Sequence, residues 1–368
     1  MSHVVTLCLG ADAHDNEHER ATRELLARRL AVLRSLEFGG EYAPDQHAPP
    51  LYYVPNDTLV THELVRFPGI EHRDQLYGGV VPHRFVATKV ISHPLVSEAA
   101  VHPVGWTHCM AQRLQGLVLQ GYSAFSHDDA MQAARTLLAA DKPVRLKRAS
   151  ARGGQGQWQA RDLQAFGRAL ESISAAELAE WGVVIEENLE QTRTWSVGQV
   201  TVGGRSISYH GTQRTTRDNK GCDVYGGSDL HVVRGGFAEL LALPLSIEVA
   251  DAVRMAMGYH QAVVNCFEGF FASRINYDVV QGLRADGTRK TGVLEQSWRL
   301  GGASAAEVAA LEYLAAHADC AAVRACTNER YGADALNGSL PEDALVCFKG
   351  VDPVTGPIVK YATAHCET

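Results

Sequence analysis

The sequence lacks any apolar run that approaches the length of a membrane span, and its amino terminus has neither the basic lead nor the long apolar segment of a secretion signal. It also lacks a C-x-x-C pair and any internal repeat, which argues against a paired-cysteine metal site and a repeat protein. A net charge of −8 argues against a general nucleic-acid binder. We therefore expect a cytoplasmic protein with neither membrane nor nucleic acid as a partner.

Eight cysteines are present, but they are scattered along the chain. Cys266, for example, lies in the apolar stretch VVNCFEGFF. Free thiols buried in a reducing cytoplasm are the simplest interpretation, because apolar surroundings suit a small thiol and reducing conditions keep it unoxidised. The eight are Cys8, Cys109, Cys222, Cys266, Cys320, Cys326, Cys347 and Cys366.

The 368 residues are 46% apolar and 21% charged, which is typical of a globular protein with two or three lobes. Residues 212–236 are polar and Gly-rich and predict a long loop. In that loop Arg214 and Arg217 could clamp an anionic substrate, although a solvated surface loop is the alternative. Ser304 and Glu307 have the spacing of a capping box and predict the start of a helix.

Residues 270–302 carry the densest chemical signal in the chain. Two strand-like runs flank Asp286-Gly287, a dipeptide typical of a hairpin turn. Alternate side chains of a strand share a face, so pairing the runs would place three polar side chains from each on one surface. Mg²⁺ prefers oxygen ligands and takes one or two carboxylates plus phosphate, so we expect Mg²⁺ and nucleotide phosphate here. A solvated, salt-bridged hairpin is the alternative. The six residues are Arg274, Asn276, Asp278, Glu295, Ser297 and Arg299.

A second segment, PVRLKRASARGGQGQW, places Lys147 shortly before Gly153, Gly154 and Gly156. Glycine lets backbone N–H groups approach an anion, and lysine supplies a positive charge for phosphate. The segment is not a Walker loop, because no G-K-[ST] follows. It predicts a phosphate-binding loop or, alternatively, a flexible β-turn.

A third segment, VVIEENLEQTRTW, reads as a strand that ends in Glu186 and Glu187, with Leu189 soon after. Such a stretch between two strands predicts a hinge whose backbone N–H and C=O match the edge of adenine, with acidic side chains in reach of ribose. An ordinary exposed loop is equally compatible with this segment alone.

The order of these segments resembles the ATP-grasp superfamily over roughly residues 85–305. Lys89, in HRFVATKVISHPL, resembles the lysine that these enzymes place before their first nucleotide-binding lobe. Lys147 and its glycines resemble their phosphate-covering loop, and Glu186 to Leu189 fall at their adenine hinge.

The hairpin resembles the metal-binding strands of the same superfamily, and the chain departs from the superfamily pattern at two positions. Glu295-Gln-Ser-Trp-Arg299 matches their E-x-N-x-R, but Ser297 replaces the usual asparagine, and Asn276 on the same face could substitute for it. Thr194 occupies the position at which many relatives carry an acid that contacts ribose. Glu187 or Glu190 could take that role in this chain.

The resemblance implies an α/β (α+β) ATP-grasp fold, in which two α+β lobes sandwich a nucleotide behind a small amino-terminal α/β lobe. The implied divisions are an amino-terminal lobe (1–88), a first ATP-grasp lobe (89–185), a second one with the metal-binding strands (186–325) and a carboxy-terminal β-hairpin extension (326–368).

The resemblance also implies roles for the residues above. Asp278, Glu295, Ser297 and Asn276 would hold Mg²⁺, and Lys89 and Lys147 the phosphates of ATP. Arg274 and Arg299 would steady the transferring phosphoryl group, since guanidinium binds phosphate in a bidentate manner.

The activity that the resemblance implies is an ATP-dependent, ADP-forming ligase that activates a small carboxylate as an acyl phosphate for attack by an amine or thiol. A kinase acting on a small molecule and a non-catalytic ATP-binding scaffold are the alternatives. The implied partners are the small-molecule substrates, ATP and Mg²⁺, with a homodimer possible.

Overall fold

The computed structural model describes residues 2–9, 16–140, 142–151 and 156–367. Its amino-terminal part is a small parallel sheet in the order β2-β1-β3, flanked by one long helix. The buried face of that helix includes Leu26 and Leu30, which lie one turn apart. The elements are β1 (His3–Leu7), α1 (Glu17–Arg34), β2 (Glu37–Glu41), β3 (Leu51–Pro55), β4 (Leu59–Val60) and β5 (Gly79–Val81).

A run of short 3₁₀ turns then leads to the next lobe. They span Thr61–Arg66, Arg73–Gln75, Arg84–Ala87 and Lys89–Ser92, and they are followed by the short helix α2 (Cys109–Arg113).

The next lobe is a four-stranded antiparallel sheet, in the order β6-β9-β7-β8, covered by helices. Two of its helices begin at a serine cap. The hydroxyls of Ser126 and Ser174 accept hydrogen bonds from the backbone N–H of Asp129 and Glu177, at 3.2 and 3.1 Å. The elements are β6 (Gly121–Ala124), α3 (His127–Leu138), β7 (Val144–Arg148), β8 (Gln157–Ala160), α4 (Leu163–Leu170), α5 (Ala175–Trp181) and β9 (Val183–Glu187).

The largest element is an eight-stranded antiparallel sheet with the order β15-β14-β10-β11-β12-β16-β18-β17. Helix α7 packs on one face through residues such as Tyr259 and Val263, and α8 packs on the other through Val308 and Leu311. The elements are β10 (Glu190–Val202), β11 (Arg205–Arg217), β12 (Asp223–Arg234), α6 (Phe237–Leu241), α7 (Ile247–Cys266), β13 (Phe271–Ala272), β14 (Arg274–Leu283), β15 (Arg289–Ser297), α8 (Ser304–Ala316), β16 (Ala322–Tyr331), α9 (Ala333–Asn337), β17 (Leu345–Asp352) and β18 (Gly356–Cys366).

Short strand β13 pairs with β5, so the amino-terminal lobe and the segment before β14 share a small sheet. The turn residues Asp286-Gly287 do connect β14 to β15, and Gly287 has the positive φ (80°) that such a turn requires. Strands β16 to β18 continue the large sheet. The four-part division at residues 88, 185 and 325 stays a prediction.

The long loop predicted over residues 212–236 is wrong, because this stretch forms the outer half of β11 and all of β12. The strands were not recognisable from the sequence, because they carry polar side chains and glycines. The glycines lie beside an irregularity in the strand register between Arg214 and Thr215. Arg214 is bonded within the sheet, to the Asp229 carboxylate and, at 3.0 Å, to the Thr327 carbonyl. It is therefore no free clamp for a substrate.

The capping box predicted at Ser304 and Glu307 is also wrong. Helix α8 begins after Ala303, which makes no side-chain cap, and the Ser304 hydroxyl accepts a hydrogen bond from Gly301 N–H at 3.1 Å. Glu307 is fully buried and bonded to Arg274 instead of to the helix end.

Four of the eight cysteines are disulfide-bonded, which corrects the expectation of eight free thiols. Cys109 on α2 is joined to Cys266 at the end of α7, and Cys320 is joined to Cys366, with Cα–Cα distances of 5.9 and 6.0 Å. The partners are 157 and 46 residues apart in sequence, so spacing gave no sign of the pairing. Among the described residues, no helix combines the length and the apolar character needed to cross a bilayer.

Candidate functional site

Two carboxylates face each other at one edge of the large sheet. Asp278 on β14 is directly opposite Glu295 on β15, and the register shifts immediately after Asp278. On its other side Asp278 is opposite Ser196 of β10, and it accepts a hydrogen bond from the Gln213 side chain at 2.8 Å. The hairpin therefore brings together the two acidic residues that the sequence predicts to bind metal.

The two acids have different proton affinities. Burial and the Glu295 charge raise the pKa of Asp278 to about 7. Burial also acts to raise the pKa of Glu295, but the nearby Lys89 ammonium outweighs it and holds the pKa below its usual value. The Glu295 side chain keeps 34% of its surface exposed. A divalent cation between the two oxygen donors would relieve their repulsion, and carboxylate oxygen is the ligand that Mg²⁺ prefers.

Lys89 reaches this pair from the 3₁₀ turns that precede the four-stranded sheet. It begins a 3₁₀ turn capped by the Thr88 hydroxyl and is only 6% exposed. Its ammonium lies 2.6 Å from Glu295 Oε2 and donates to the Ala151 carbonyl at 3.0 Å. Ala151 follows Lys147 in the predicted phosphate loop, so Lys89 connects that loop to the hairpin.

Lys147 lies on β7 and is almost completely buried. Its ammonium is 2.6 Å from Glu186 Oε1 on the neighbouring strand β9, and His93 Nε2 is 3.2 Å from Glu186 Oε2. Burial opposes ionisation of Glu186, but Lys147 and then His93 lower its pKa to about 2. Glu186 therefore holds Lys147 in place. Sequence reasoning missed His93, because a lone histidine four residues after Lys89 forms no motif.

Glu187, the next residue of β9, points the opposite way. Its carboxylate accepts from the guanidinium of Arg284 at 2.8 Å and from Gln120 N–H at 3.0 Å. Arg284 lies in the turn between β14 and β15, so this ion pair joins the end of β9 to the hairpin. Leu189 is 5% exposed and packs with Val280 and other apolar residues.

The remaining predicted metal-side residues are bonded within the protein. The Ser297 hydroxyl accepts from Arg274 at 3.1 Å, and the Asn276 amide donates to the Ser196 hydroxyl at 2.6 Å and to the Tyr209 hydroxyl at 3.1 Å. Over residues 2–9, 16–140, 142–151 and 156–367, no group of three or more His, Cys, Asp or Glu is placed to hold a metal. The donor set that fits Mg²⁺ is thus Asp278 and Glu295.

The two predicted catalytic arginines differ in accessibility. Arg274 is 1% exposed, and all three of its nitrogens are bonded within the protein, so its guanidinium is not presented to a phosphoryl group. The Arg299 side chain is 23% exposed, with Nε 3.6 Å from Asp57 Oδ1 of the amino-terminal lobe. Arg299 also lies close enough to Glu295 to help lower the pKa of that acid.

Of the predicted loop glycines, Gly153 and Gly154 lie outside the described residues. Gly156 has a positive φ of 62°, and its carbonyl accepts from Arg148 N–H at 2.9 Å, which closes the loop at the β7–β8 hairpin. A Cβ added there would lie 2.9 Å from the Ala151 Cβ, so a larger residue would strain the loop.

Two surface pockets lie away from this cluster. One, of about 330 Å³, is beside Trp195 and His210 on the sheet face opposite to Asp278. The other, of about 550 Å³, is beside Tyr42 and Arg66 at the end of β1.

Comparison with solved structures identifies the class of this fold. Phosphoribosylamine–glycine ligase from Thermotoga maritima matches with a TM-score of 0.51 and 16% sequence identity, covering 99% of this chain and 91% of that chain. N5-carboxyaminoimidazole synthetase from Staphylococcus aureus matches with a TM-score of 0.50 and 10% identity, covering 99% and 94%. The ATP-grasp fold predicted from the sequence is therefore confirmed.

The family follows from the sequence itself. Residues 6–362 match the family described as "Protein of unknown function (DUF3182)", and the chain belongs to that family. A comparison with curated protein sequences finds no match.

Proposed function

We propose that this protein is an ATP-dependent ligase that activates a small carboxylate for attack by an amine or thiol. The observation that carries the proposal is the opposed pair Asp278 and Glu295, flanked by Lys89 from a 3₁₀ turn and by Lys147 from the four-stranded sheet. Two carboxylates beside two buried lysines suit a Mg²⁺–nucleotide complex, in which cations must neutralise phosphate charge.

In the proposed reaction, a carboxylate oxygen of the substrate attacks the γ-phosphorus of ATP, and the bond to the β-phosphate oxygen breaks to release ADP. The amine or thiol then attacks the acyl carbon, inorganic phosphate leaves, and the nucleophile gives up its proton. Mg²⁺, held by Asp278 and Glu295, would supply positive charge that offsets the charge of the ATP phosphates. Such transfers depend mainly on positioning and charge neutralisation.

Each residue has a proposed role in that positioning. Asp278 and Glu295 hold the cation, Lys89 and Lys147 contact the phosphates, and Arg299 steadies the transferring phosphoryl group. The glycines at 153, 154 and 156 cover the phosphates and exclude water, and Leu189 packs against the adenine. Glu186, Glu187, Arg274, Asn276 and Ser297 support these residues through the hydrogen bonds described above.

Thermal unfolding with ADP and Mg²⁺, separately and together, tests the nucleotide site. A ligand that binds only the folded state stabilises it, by about 2.7 kcal/mol at 100 times its Kd. We expect wild-type Tm to rise most with both ligands present. Asp278→Asn and Glu295→Ala should keep the ligand-free Tm within a few degrees and lose the part of the rise that needs Mg²⁺.

Asp286→Asn is the matched control, because it makes the same change at the exposed far end of the same hairpin. Lys147→Ala should weaken ADP binding both with and without Mg²⁺. Wild-type responses in both carboxylate variants would contradict the site. ADP release without an amine or thiol would favour a kinase, and nucleotide binding without turnover would favour a scaffold.

A further inference from the structure

A buried carboxylate on α8 is the centre of a hydrogen-bond network behind the candidate metal site. Glu307 is 0% exposed. Its Oε1 accepts from the Tyr209 hydroxyl at 2.6 Å and from Arg274 Nη2 at 2.8 Å, and its Oε2 accepts from the Tyr77 hydroxyl at 2.6 Å. These partners come from three separate parts of the fold: β11, β14 and the amino-terminal lobe.

The network continues to the end of strand β15. Arg274 Nη1 donates to the carbonyl and the hydroxyl of Ser297, both at 3.1 Å, and to the Arg299 carbonyl at 2.8 Å. The Arg274 guanidinium therefore holds the backbone on the carboxyl side of Glu295. Glu307 fixes the orientation of this guanidinium by accepting hydrogen bonds from its Nε and Nη2.

A second branch reaches the strand that carries Asp278. The Tyr209 hydroxyl donates to Glu307 and accepts from the Asn276 amide at 3.1 Å, and Asn276 also donates to Ser196 at 2.6 Å. Ser196 is directly opposite Asp278 in the sheet. Glu307 thus connects to positions beside both carboxylates without contacting either.

Burial by itself raises the pKa of Glu307, but Arg274 outweighs it and keeps the pKa below its usual value. An ion pair this deep gains little over an apolar pair of the same volume, because desolvation offsets the attraction. The bonds from Arg274 to the Ser297 and Arg299 carbonyls, however, constrain the backbone at the end of the hairpin. The network is better suited to fixing geometry than to adding stability.

We propose that Glu307 is a positioning residue for the Mg²⁺ site: through Arg274 and Tyr209 it fixes the strand ends that present Glu295 and Asp278 to the cation. This inference rests on the proposed function of that site. It also accounts for Ser297 in place of asparagine, since its short hydroxyl accepts from Arg274 where the metal-binding motif has an amide.

The test is Glu307→Gln, which keeps the shape and removes the charge. We expect ADP affinity without Mg²⁺ to be unchanged, and the enhancement of ADP affinity by Mg²⁺, measured by titration calorimetry, to fall by about tenfold or more, the usual range when a group that orients a metal ligand is lost. Glu312→Gln is the matched control, because Glu312 lies on the same helix and pairs with Arg29 at 2.7 Å on the far side. It should retain the full Mg²⁺ enhancement.

Glu307→Gln leaves Arg274 without its charged partner and could destabilise the protein. An effect on folding therefore has to be separated from an effect on Mg²⁺ binding. The double variant Arg274→Met with Glu307→Leu replaces the ion pair by apolar side chains of similar size, a change that commonly preserves or raises stability. The buried hydroxyls of Tyr77 and Tyr209 lose their acceptor in this variant, so we expect a Tm somewhat below that of wild type with a cooperative unfolding transition, and the Mg²⁺ enhancement still lost. A wild-type enhancement in this folded double variant would overturn the proposal.

Hydrogen exchange provides a readout that does not depend on nucleotide. In Glu307→Gln, the amides of residues 295–299 should exchange faster, while those of β17 stay as in wild type. Unchanged exchange at 295–299 would refute the positioning role even if the site binds Mg²⁺ and ADP. If wild-type protein shows no Mg²⁺-dependent binding of ADP, the proposed function is refuted instead. Faster exchange in Glu307→Gln would then show only that Glu307 supports the structure of the hairpin.

Discussion

Adjacent side chains of β9 form ion pairs with different parts of the fold. Glu186 points toward Lys147 in its own sheet, and Glu187 points toward Arg284 in the turn of the β14–β15 hairpin. The alternation of side chains along a strand produces this division. The sequence shows where these charged residues are, but their partners are 39 and 97 residues away and were not predicted.

Another residue with an environment that sequence cannot reveal is His210. It is 9% exposed on β11, its ring stacks on His231 at 5.1 Å, and its Nδ1 has no hydrogen-bond partner. Burial and then His231 lower its pKa from 6.5 to about 4, while Glu367 opposes and Arg324 adds to the shift. The folded protein therefore resists protonation that the unfolded chain accepts.

From these values we expect a loss of stability in acid. The contribution of neutral His210 is complete above pH 6.5 and is lost as the pH falls to about 4, where the folded state also takes up the proton. The loss can reach about 3 kcal/mol, since one pKa unit corresponds to about 1.4 kcal/mol. Urea unfolding across this range should show a shallower pH dependence in His210→Gln than in wild type.

The control for that measurement is His127→Gln, which changes an exposed histidine at the start of α3. It should follow the wild-type curve. An identical pH dependence in His210→Gln and wild type would show that His210 is accessible to protons in the folded state.

At the scale of elements, the β14–β15 hairpin was the part most accessible to sequence reasoning. Its turn follows from the dipeptide Asp286-Gly287. Period-two patterning predicts its two strands and the shared face of Arg274, Asn276 and Asp278. Strands β11 and β12 were less accessible, because both carry polar side chains over residues 212–236 and pattern alone favours a loop there. Helix α8 was located correctly, but its Glu307 was assigned to the helix end although it lies in the core.

Strand β10 contains a glycine that its neighbours require. A Cβ at Gly198 would lie 2.3 Å from the Tyr209 hydroxyl and 2.6 Å from the Ile275 carbonyl. We expect Gly198→Ala to lower the free energy of unfolding by about 2 kcal/mol or more, since overpacking a core commonly costs 1–3 kcal/mol. It should also displace Tyr209 from Glu307 and reduce the Mg²⁺ enhancement of ADP binding.

Gly167→Ala is the matched control for this substitution, because a Cβ at that position in α4 meets nothing within 4 Å. It should raise the unfolding free energy by about 0.5–1 kcal/mol through helix propensity. Denaturant unfolding of both variants measures the two effects with opposite sign. Equal stability of Gly198→Ala and wild type would mean that β10 and β11 can separate at Tyr209 without cost.

At the scale of the whole molecule, the order of lysine, glycine loop, hinge and metal strands was sufficient to predict the ATP-grasp fold. Each of these segments is short and has a recognisable pattern of its own, so the order of the segments can be read from the sequence. Contacts that join distant segments were not predicted. They include the disulfide between α2 and α7, the pairing of β13 with β5, and the insertion of β16 and β18 into the large sheet.

The two disulfides predict a count that is simple to measure. The denatured, unreduced protein should show four reactive thiols, and the reduced protein should show all eight. Replacing Cys109 and Cys266 together by serine should lower stability by about 2–4 kcal/mol, because the bridge restricts the unfolded chain. Cys222→Ser, at an exposed thiol, should leave the Tm unchanged. Eight reactive thiols before reduction would show that neither bridge forms.

The order of strands in the large sheet also has a kinetic consequence. In the described structure β17 joins the sheet only through β18, which itself lies between β17 and β16. A hairpin closes in microseconds because its contacts are local, whereas pairing β18 with β16 must first close a loop of intervening chain. We therefore expect β17 and β18 to form a unit early and to dock late. Substitutions within the β17–β18 hairpin should then change the folding rate, and those at the β16–β18 contact should mainly change the unfolding rate.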